Sequence, residues 1–372
     1  MFETENEKMT KYAIVTGASP SSIGFVAAKK LAASEQGGYT VILACRNAQK
    51  GQAAEALIRA EHPNAAVAVY LHLDLASFAS IHQFVKEVHE LDDGALLDPN
   101  RPDSSLCILI NNAGLGFGRN DTLAPYHETT EGLEEIVGVN HFGTFLLTQL
   151  LEPSLKLASG GGRTVVVSSS LHQKQMMGEK KIPSDPTTSD ENKEETQDND
   201  DGDDESLLPN FPDGIFVSKE NYNGGRMAYK ISKLCNLWFT YELQRRLVFE
   251  AEKIVGGTSN VVRVTAISPG FIPSTGLTRR SGLFGSFFLN YVLDPFRYLG
   301  LGITRSPEDG AETIVQAACC GQHGGQYFTL PKGTNTCIVP TLSSKESMDA
   351  TKAKQLWELS LQTCKLSPSS YL

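Results

Sequence analysis

Tyr229 and Lys233 stand four residues apart in a stretch, Met227 to Glu250, whose residue pattern predicts a helix, so the phenol and the ammonium share one helical face. A phenol ordinarily holds its proton well above neutral pH. A neighbouring ammonium favours the ionised form and draws that value toward neutrality. A tyrosine so placed can pass a proton to the oxygen of a carbonyl that receives a hydride. A lone YxxxK spacing arises easily by chance, so its weight comes from the residues around it.

Those residues fall at the ends of short apolar runs. Asn111-Asn112-Ala113-Gly114 follows Leu106–Ile110, Ser168-Ser169-Ser170 follows Arg163–Val167, and Pro269-Gly270 follows Asn260–Ile267. Ser169 is suited to hydrogen-bond a substrate oxygen, and Asn140 lies inside a long helical pattern, Gly132–Leu151, where an interior Asn is mildly disfavoured. The first run, Tyr12–Thr16, leads into Thr16-Gly17-Ala18-Ser19-Pro20-Ser21-Ser22-Ile23-Gly24. Small residues at such a junction let backbone N–H groups approach a pyrophosphate at a helix N-terminus. Arg46 closes the second run, Thr40–Cys45, in the sequence Cys45-Arg46-Asn47, where an NAD enzyme usually carries an acid for the ribose 2′-hydroxyl. A guanidinium suits a 2′-phosphate instead, and Lys50 one turn later adds a second cation.

The elements that must position these residues alternate. Apolar strands at 12–16, 40–45, 66–71, 106–110, 163–167, 260–267 and 325–330 are separated by helical patterns at 23–34, 48–61, 78–90, 132–151, 227–250 and 307–319, with a closing helix at 350–361. Alternation of this kind predicts βαβ units in an α/β fold: one Rossmann-like, doubly wound parallel sheet with helices on both faces. Ligands bind such sheets in the crevice beyond the strands' carboxyl ends, where the motifs above cluster.

Composition excludes several alternatives. Of the net charge of −10, nine units lie between Glu179 and Glu205, where twelve acidic residues face three basic ones. The remainder is near neutral and carries no basic stripe for nucleic acid. Residues 174 to about 212 are poor in apolar side chains and read as a disordered surface insertion. Seven scattered cysteines without a CxxC pair predict reduced thiols and no metal site. No run reaches the length of a membrane span, and no targeting segment is visible, which predicts a cytoplasmic protein, or a plastid one if a transit peptide has been removed. The aromatics of Leu283–Leu301 (Phe284, Phe287, Phe288, Tyr291, Phe296 and Tyr298) predict a cover over a bulky apolar ligand, a helix packed on the core or a shallow membrane contact.

In this order the motifs resemble those of the short-chain dehydrogenase/reductase family over roughly residues 10–335, leaving 336–372 as a C-terminal extension with one helix. The resemblance implies a catalytic tetrad of Asn140, Ser169, Tyr229 and Lys233. It implies that Lys233 also holds a nicotinamide ribose, that Asn140 anchors a water leading to Lys233, and that Asp74 lies near an adenine. The implied cofactor is NADP(H), bound by Thr16, Gly17, Ser19, Ser22, Ile23, Gly24, Arg46, Lys50, Asp74, Leu75, Asn112, Ala113, Gly114, Tyr229, Lys233, Pro269 and Gly270. One departure stands at the first motif. Where the family has TGxxxGxG, Ser22 replaces the middle glycine and the turn is one residue longer.

Two branches are similar. Retinol-dehydrogenase-like members share CRN at 45–47, the run at 140–151 and VVVSSS; light-dependent protochlorophyllide reductases share YKxSKxCN at 229–236, PGxIxxTGLxR at 269–279 and the closing AKQLWELS. The photoenzymes carry a cysteine directly after the Pro-Gly pair, whereas this chain has Phe271, and Cys235 matches a different cysteine of that branch. The expectation is therefore hydride transfer to a bulky hydrophobic carbonyl such as a retinoid or steroid. Light-driven reduction of a pigment double bond is the alternative, and a nucleotide-binding regulatory protein without turnover is a further one.

Overall fold

The computed structural model describes residues 10–33, 38–63, 68–100, 104–117, 125–173, 206–253, 261–270, 272, 305–320, 323–330 and 337–367. Phe271, the aromatic segment 283–301 and most of the acidic insertion lie outside the described residues. Eight strands form one sheet: β1 (Thr10–Thr16), β2 (Thr40–Cys45), β3 (Ala68–His72), β4 (Ser104–Asn111), β5 (Arg163–Val167), β6 (Arg263–Ser268), β7 (Gln326–Thr329) and β8 (Val339–Pro340). Their order is β3-β2-β1-β4-β5-β6-β7-β8. Pairings from β3 through β7 are parallel, and only β8 runs antiparallel, beside β7. The direction of winding reverses between β1 and β4, which places the ligand crevice there.

Helices α1 (Ile23–Ala32) and α2 (Ala48–Glu61), with α7 (Pro307–Cys320), enclose one face of the sheet. On the other face lie α3 (Phe78–His89), α4 (Glu135–Val137), α5 (Thr144–Leu157), α6 (Arg226–Lys253) and α8 (Ala350–Thr363). The central strands β1, β2, β4, β5 and β6 are almost wholly buried, as parallel strands covered on both sides must be, while the edge strands β3 and β8 are more open. Helix starts follow local capping. The side chains of Ser22, Asn47, Ser77 and Asp349 each accept a backbone N–H from the first turn they precede.

Three departures from the expected elements bear on the site. The helix expected over 132–151 begins at Glu135, ends at Leu157, and holds a π-helical segment, Gly138–Gly143, between α4 and α5. A Cβ on Gly143 would lie 2.3 Å from the Leu75 carbonyl oxygen, so this segment presses on the loop after β3 as only glycine allows. Residues 206–212, placed within the insertion by composition, pack into the core: Leu207 and Leu208 are buried and Phe211 lies edge-on to Trp238, 5.2 Å between centroids. The apolar Leu-Leu pair and Phe211 supply burial that the acidic stretch before them lacks. Finally, α8 packs along α6 through buried Leu356, Trp357 and Leu361, which join the core, while β8 extends the sheet at its exposed edge.

Candidate active site

The first strand ends at Thr16, and its hydroxyl ties two loops together. Thr16 Oγ1 accepts from the amides of Asn112 (3.0 Å) and Ala113 (2.9 Å) and donates to the Ile110 carbonyl (3.3 Å), while Asn112 Nδ2 donates to the Thr16 carbonyl (2.8 Å). Gly17 turns the chain with φ +70°, and Ser21 also takes a left-handed φ of +66°, which accommodates the longer turn. Ser22 then caps α1: its hydroxyl donates to the Gly17 carbonyl (2.9 Å) and accepts from Phe25 N (3.0 Å). The residue standing in place of glycine thus closes the turn with its own side chain. Gly24 backs onto Asn112, whose Nδ2 would lie 2.4 Å from an added Cβ.

A cleft of ≈ 470 Å³ opens beyond the carboxyl ends of β1, β2, β3 and β4. Its lining includes Gly17, Ser19, Ser22 and Ile23 from the first turn, Arg46 and Lys50 after β2, Asp74 and Leu75 after β3, and Asn112, Ala113 and Gly114 after β4. The Arg46 side chain is 58% exposed and lies 4.0 Å from the Glu135 carboxylate. Asp74 folds back on its own loop, where Oδ1 accepts from Ala76 N at 3.0 Å. Thr16 and Gly24 do not line the cleft; they brace its floor. Pro269 and Gly270 stand outside its lining, after β6, with Gly270 at φ +84° against the Arg305 side chain.

The four chemistry-bearing residues converge beside this cleft. Asn140 sits in the π segment, where Oδ1 accepts from Leu115 N (2.7 Å) and Nδ2 donates to Leu115 O (3.0 Å) and to Ser232 Oγ (3.0 Å). This binding of the loop after β4 explains the unusual interior Asn. Lys233 Nζ donates to the Val167 carbonyl at 2.8 Å and lies 5.5 Å from the centre of the Tyr229 ring. A Cβ on Gly114, in the cleft wall, would lie 3.2 Å from Asn140 Oδ1 and 3.6 Å from Lys233 Nζ, so the glycine keeps the two faces in contact. Ser168 Oγ donates to the Lys233 carbonyl (2.8 Å), which leaves Ser169 as the serine whose hydroxyl faces Tyr229. Phe117 stands edge-on to the Tyr229 ring, 5.3 Å between centroids.

The electrostatics differ from the sequence expectation. Burial raises the Tyr229 pKa to about 12, with the Ser169 hydrogen bond acting weakly in the opposite direction. Burial also lowers Lys233 to about 8. Loss of hydration dominates both shifts: the ammonium donates to the Val167 carbonyl and stands 5.5 Å from the centre of the ring. The phenol therefore holds its proton at neutral pH, the state a proton donor needs.

Sequence reasoning missed three residues that shape the site. Ser232 bridges Asn140 and the Tyr229 carbonyl. The Asn236 amide, in its hydrogen-bonded orientation, donates to the Asn140 carbonyl at 3.0 Å. His172, three residues after Ser169, bonds to the Ser169 carbonyl. Ser232 and Asn236 fall inside the YKxSKxCN stretch at 229–236 and His172 stands two residues after the Ser168–Ser170 run, but spacing alone gave none of them a role. Among the described residues there is no cluster of three or more potential metal ligands, and no helix is long and apolar enough to cross a membrane.

Known proteins resemble this chain in sequence and in fold. A family model described as short chain dehydrogenase matches residues 11–180. Retinol dehydrogenase 13 of Homo sapiens is 32% identical over 350 residues, covering 93% of this chain and 82% of that protein. The chloroplastic protochlorophyllide reductase B of Hordeum vulgare is 30% identical over 356 residues, covering 94% and 78%. Among solved structures, an uncharacterized protein from Mycobacterium Paratuberculosis superposes with a TM-score of 0.58 at 26% identity, covering 97% of this chain and 95% of that one. A short chain dehydrogenase from Shigella flexneri 2a complexed with NADP shares the fold, with a TM-score of 0.52 at 20% identity, over 87% and 97%.

Proposed function

Because the chain belongs to the short-chain dehydrogenase/reductase family of oxidoreductases, we propose that it is an NADPH-dependent reductase of a bulky hydrophobic carbonyl, with Tyr229 as proton donor. The observation that carries this reading is the meeting of Asn140 and Lys233 at the cleft-wall Gly114, with the Tyr229 ring beside Lys233 and Ser169 bonded to Tyr229. Gly17, Ser19, Ser22 and Ile23 would hold the pyrophosphate, Asp74 and Leu75 the adenine side, and Asn112 to Gly114 the nicotinamide side, with Thr16 and Gly24 fixing the backbone beneath. Pro269 and Gly270 would border the nicotinamide. Arg46 and Lys50 support a 2′-phosphate, since the chain from Cys45 to Lys50 carries no acid of its own for a ribose hydroxyl. Bound there, the nicotinamide supplies a hydride. Ser169 then orients the substrate oxygen, Tyr229 donates its proton to that oxygen as negative charge develops, and Lys233 stabilises the tyrosinate left behind.

Purified protein should oxidise NADPH in the dark with a panel of retinal, steroid and long-chain aldehydes. Tyr229→Phe should reduce that rate by at least ~100-fold while leaving NADPH binding, read by its fluorescence, unchanged. Undiminished turnover in the variant would sink the assignment. The barley relative supports a second reading, light-driven reduction of a pigment double bond. It would replace the first if protochlorophyllide and NADPH gave the chlorophyllide absorption shift only on illumination.

A further inference from the structure

We propose that His172 is a positioning residue: its neutral ring, set in one tautomer by the Ser344 amide, donates through Nδ1 to the Ser169 carbonyl and so fixes the Ser169 hydroxyl relative to Tyr229. The proposal rests on the reading of Ser169 as the residue that meets the substrate oxygen.

The ring's two partners determine its protonation. Nδ1 lies 2.6 Å from the Ser169 carbonyl oxygen, which can only accept, so Nδ1 carries a proton. Nε2 lies 3.2 Å from the Ser344 backbone nitrogen, which can only donate, so Nε2 presents a lone pair. Only one tautomer of the uncharged imidazole satisfies both. The surroundings agree: His172 is 1% exposed and stands edge-on to Tyr327, 5.5 Å between centroids. Burial lowers its pKa and keeps the ring neutral.

The consequence for Ser169 is local and directional. Its carbonyl accepts from His172 Nδ1 and from the His172 amide (3.2 Å), while its hydroxyl accepts from the Leu171 amide (3.3 Å). These bonds set both the backbone and the side chain of the residue facing the phenol. The far end of the tie is equally fixed. Tyr241, on α6, bonds through its hydroxyl to Ser343 Oγ (2.7 Å), Ser347 Oγ reaches Ser343 Oγ (2.6 Å) and Ser344 O (2.7 Å), and Trp238 Nε1, also on α6, donates to Glu346 O (2.9 Å). Helix α6 carries Tyr229 and Lys233. The Ser344 amide that selects the His172 tautomer therefore sits in a segment that α6 itself holds in place.

Two substitutions separate the ring's two bonds. His172→Asn keeps a donor near the Nδ1 position and gives up the acceptor for Ser344. His172→Gln keeps an acceptor near the Nε2 position and gives up the donor to Ser169. Hydrogen–deuterium exchange should show the Leu171 and His172 amides exchanging about tenfold faster in His172→Gln, the loss expected for one buried hydrogen bond, and within about threefold of wild type in His172→Asn. With NADPH and all-trans-retinal, His172→Gln should lower kcat about tenfold at unchanged KM for NADPH, and His172→Asn should restore most of it. Unchanged exchange in His172→Gln, or equal acceleration in both variants, overturns the proposal. If the exchange pattern holds but wild type reduces no carbonyl, the functional reading fails and the positioning role stands.

Discussion

Arg46 concentrates the question of cofactor choice in one side chain. It borders the cleft after β2 in a tripeptide, Cys45-Arg46-Asn47, that contains no acid. The guanidinium is not idle there, since it lies 4.0 Å from the Glu135 carboxylate. That contact is long and more than half exposed on the arginine side, so it restrains the side chain weakly. A 2′-phosphate, with its greater charge and fork-compatible oxygens, would compete for the same group. Arg46→Asp replaces that attraction with repulsion and adds an acceptor for a ribose hydroxyl. The ratio of kcat/KM for NADPH over NADH should fall by about 100-fold or more, two charge-assisted contacts being exchanged for one unfavourable one. An unaltered ratio would remove the basis for the 2′-phosphate assignment.

At the scale of elements, the π segment that holds Asn140 is coupled to the C-terminal helix α8 through the neighbouring His141. Ser360 Oγ donates to Leu356 O, so it must accept from His141 Nε2 at 2.9 Å, and His141 Nδ1 is buried with no partner among the described residues. The ring is walled by Phe142, Phe145 and Phe239. Burial drives its pKa down to about 3, far below the value in an unfolded chain. The sign follows from linkage. Below the unfolded value the denatured state takes up a proton that the native state refuses, so this group's stabilising effect is full above about pH 6.5 and is lost as pH falls toward 3. Its share of the slope approaches ~1.4 kcal/mol per pH unit. His141→Gln keeps a donor toward Ser360 but cannot titrate. Urea unfolding between pH 6.5 and 4.5 should give a slope shallower than wild type by about that amount; parallel curves would contradict it.

The same segment marks where sequence reading stops. The apolar runs at Thr40–Cys45 and Arg163–Val167 reveal their strands to the residue, because buried parallel strands need continuous apolar side chains. Asn140, Ser169, Tyr229 and Lys233 were legible as a set through their order along the chain, and the structure brings them together. A π segment leaves no periodic signature, so the one around Asn140 was invisible beyond the oddity of an interior Asn. His172 was hidden for another reason: its partner Ser344 lies 172 residues further on. The direction of the Tyr229 shift was misread because adjacency to Lys233 is visible in sequence, whereas the desolvation of both groups exists only once the helix is buried.

For the molecule as a whole, the decisive packing lies between α8 and α6, which joins the chain's C-terminal end to the helix carrying Tyr229 and Lys233. Trp357 is its centre. The ring is 3% exposed, lies edge-on to Phe145 at 5.1 Å, stacks with Phe239 at 6.3 Å, and supports the Arg246 guanidinium 4.5 Å from its face. Removing it opens a cavity among residues that cannot collapse, since Phe145 and Phe239 are themselves held by the core around the sheet. Trp357→Ala should therefore cost ~3–5 kcal/mol, a large part of the stability of an ordinary domain. Trp357→Phe should cost far less, because it keeps an aromatic ring and removes an indole N–H that has no partner among the described residues. Trp238, the other tryptophan of the two, lies on α6 itself with Lys352 of α8 5.8 Å from its ring, and can report both transitions by fluorescence in guanidinium. If the helix pair is integral to the catalytic fold, Trp357→Ala will shift a single cooperative transition to lower denaturant, and loss of NADPH binding will coincide with it. A separate early transition that leaves NADPH binding intact would instead make α8 a dispensable addition.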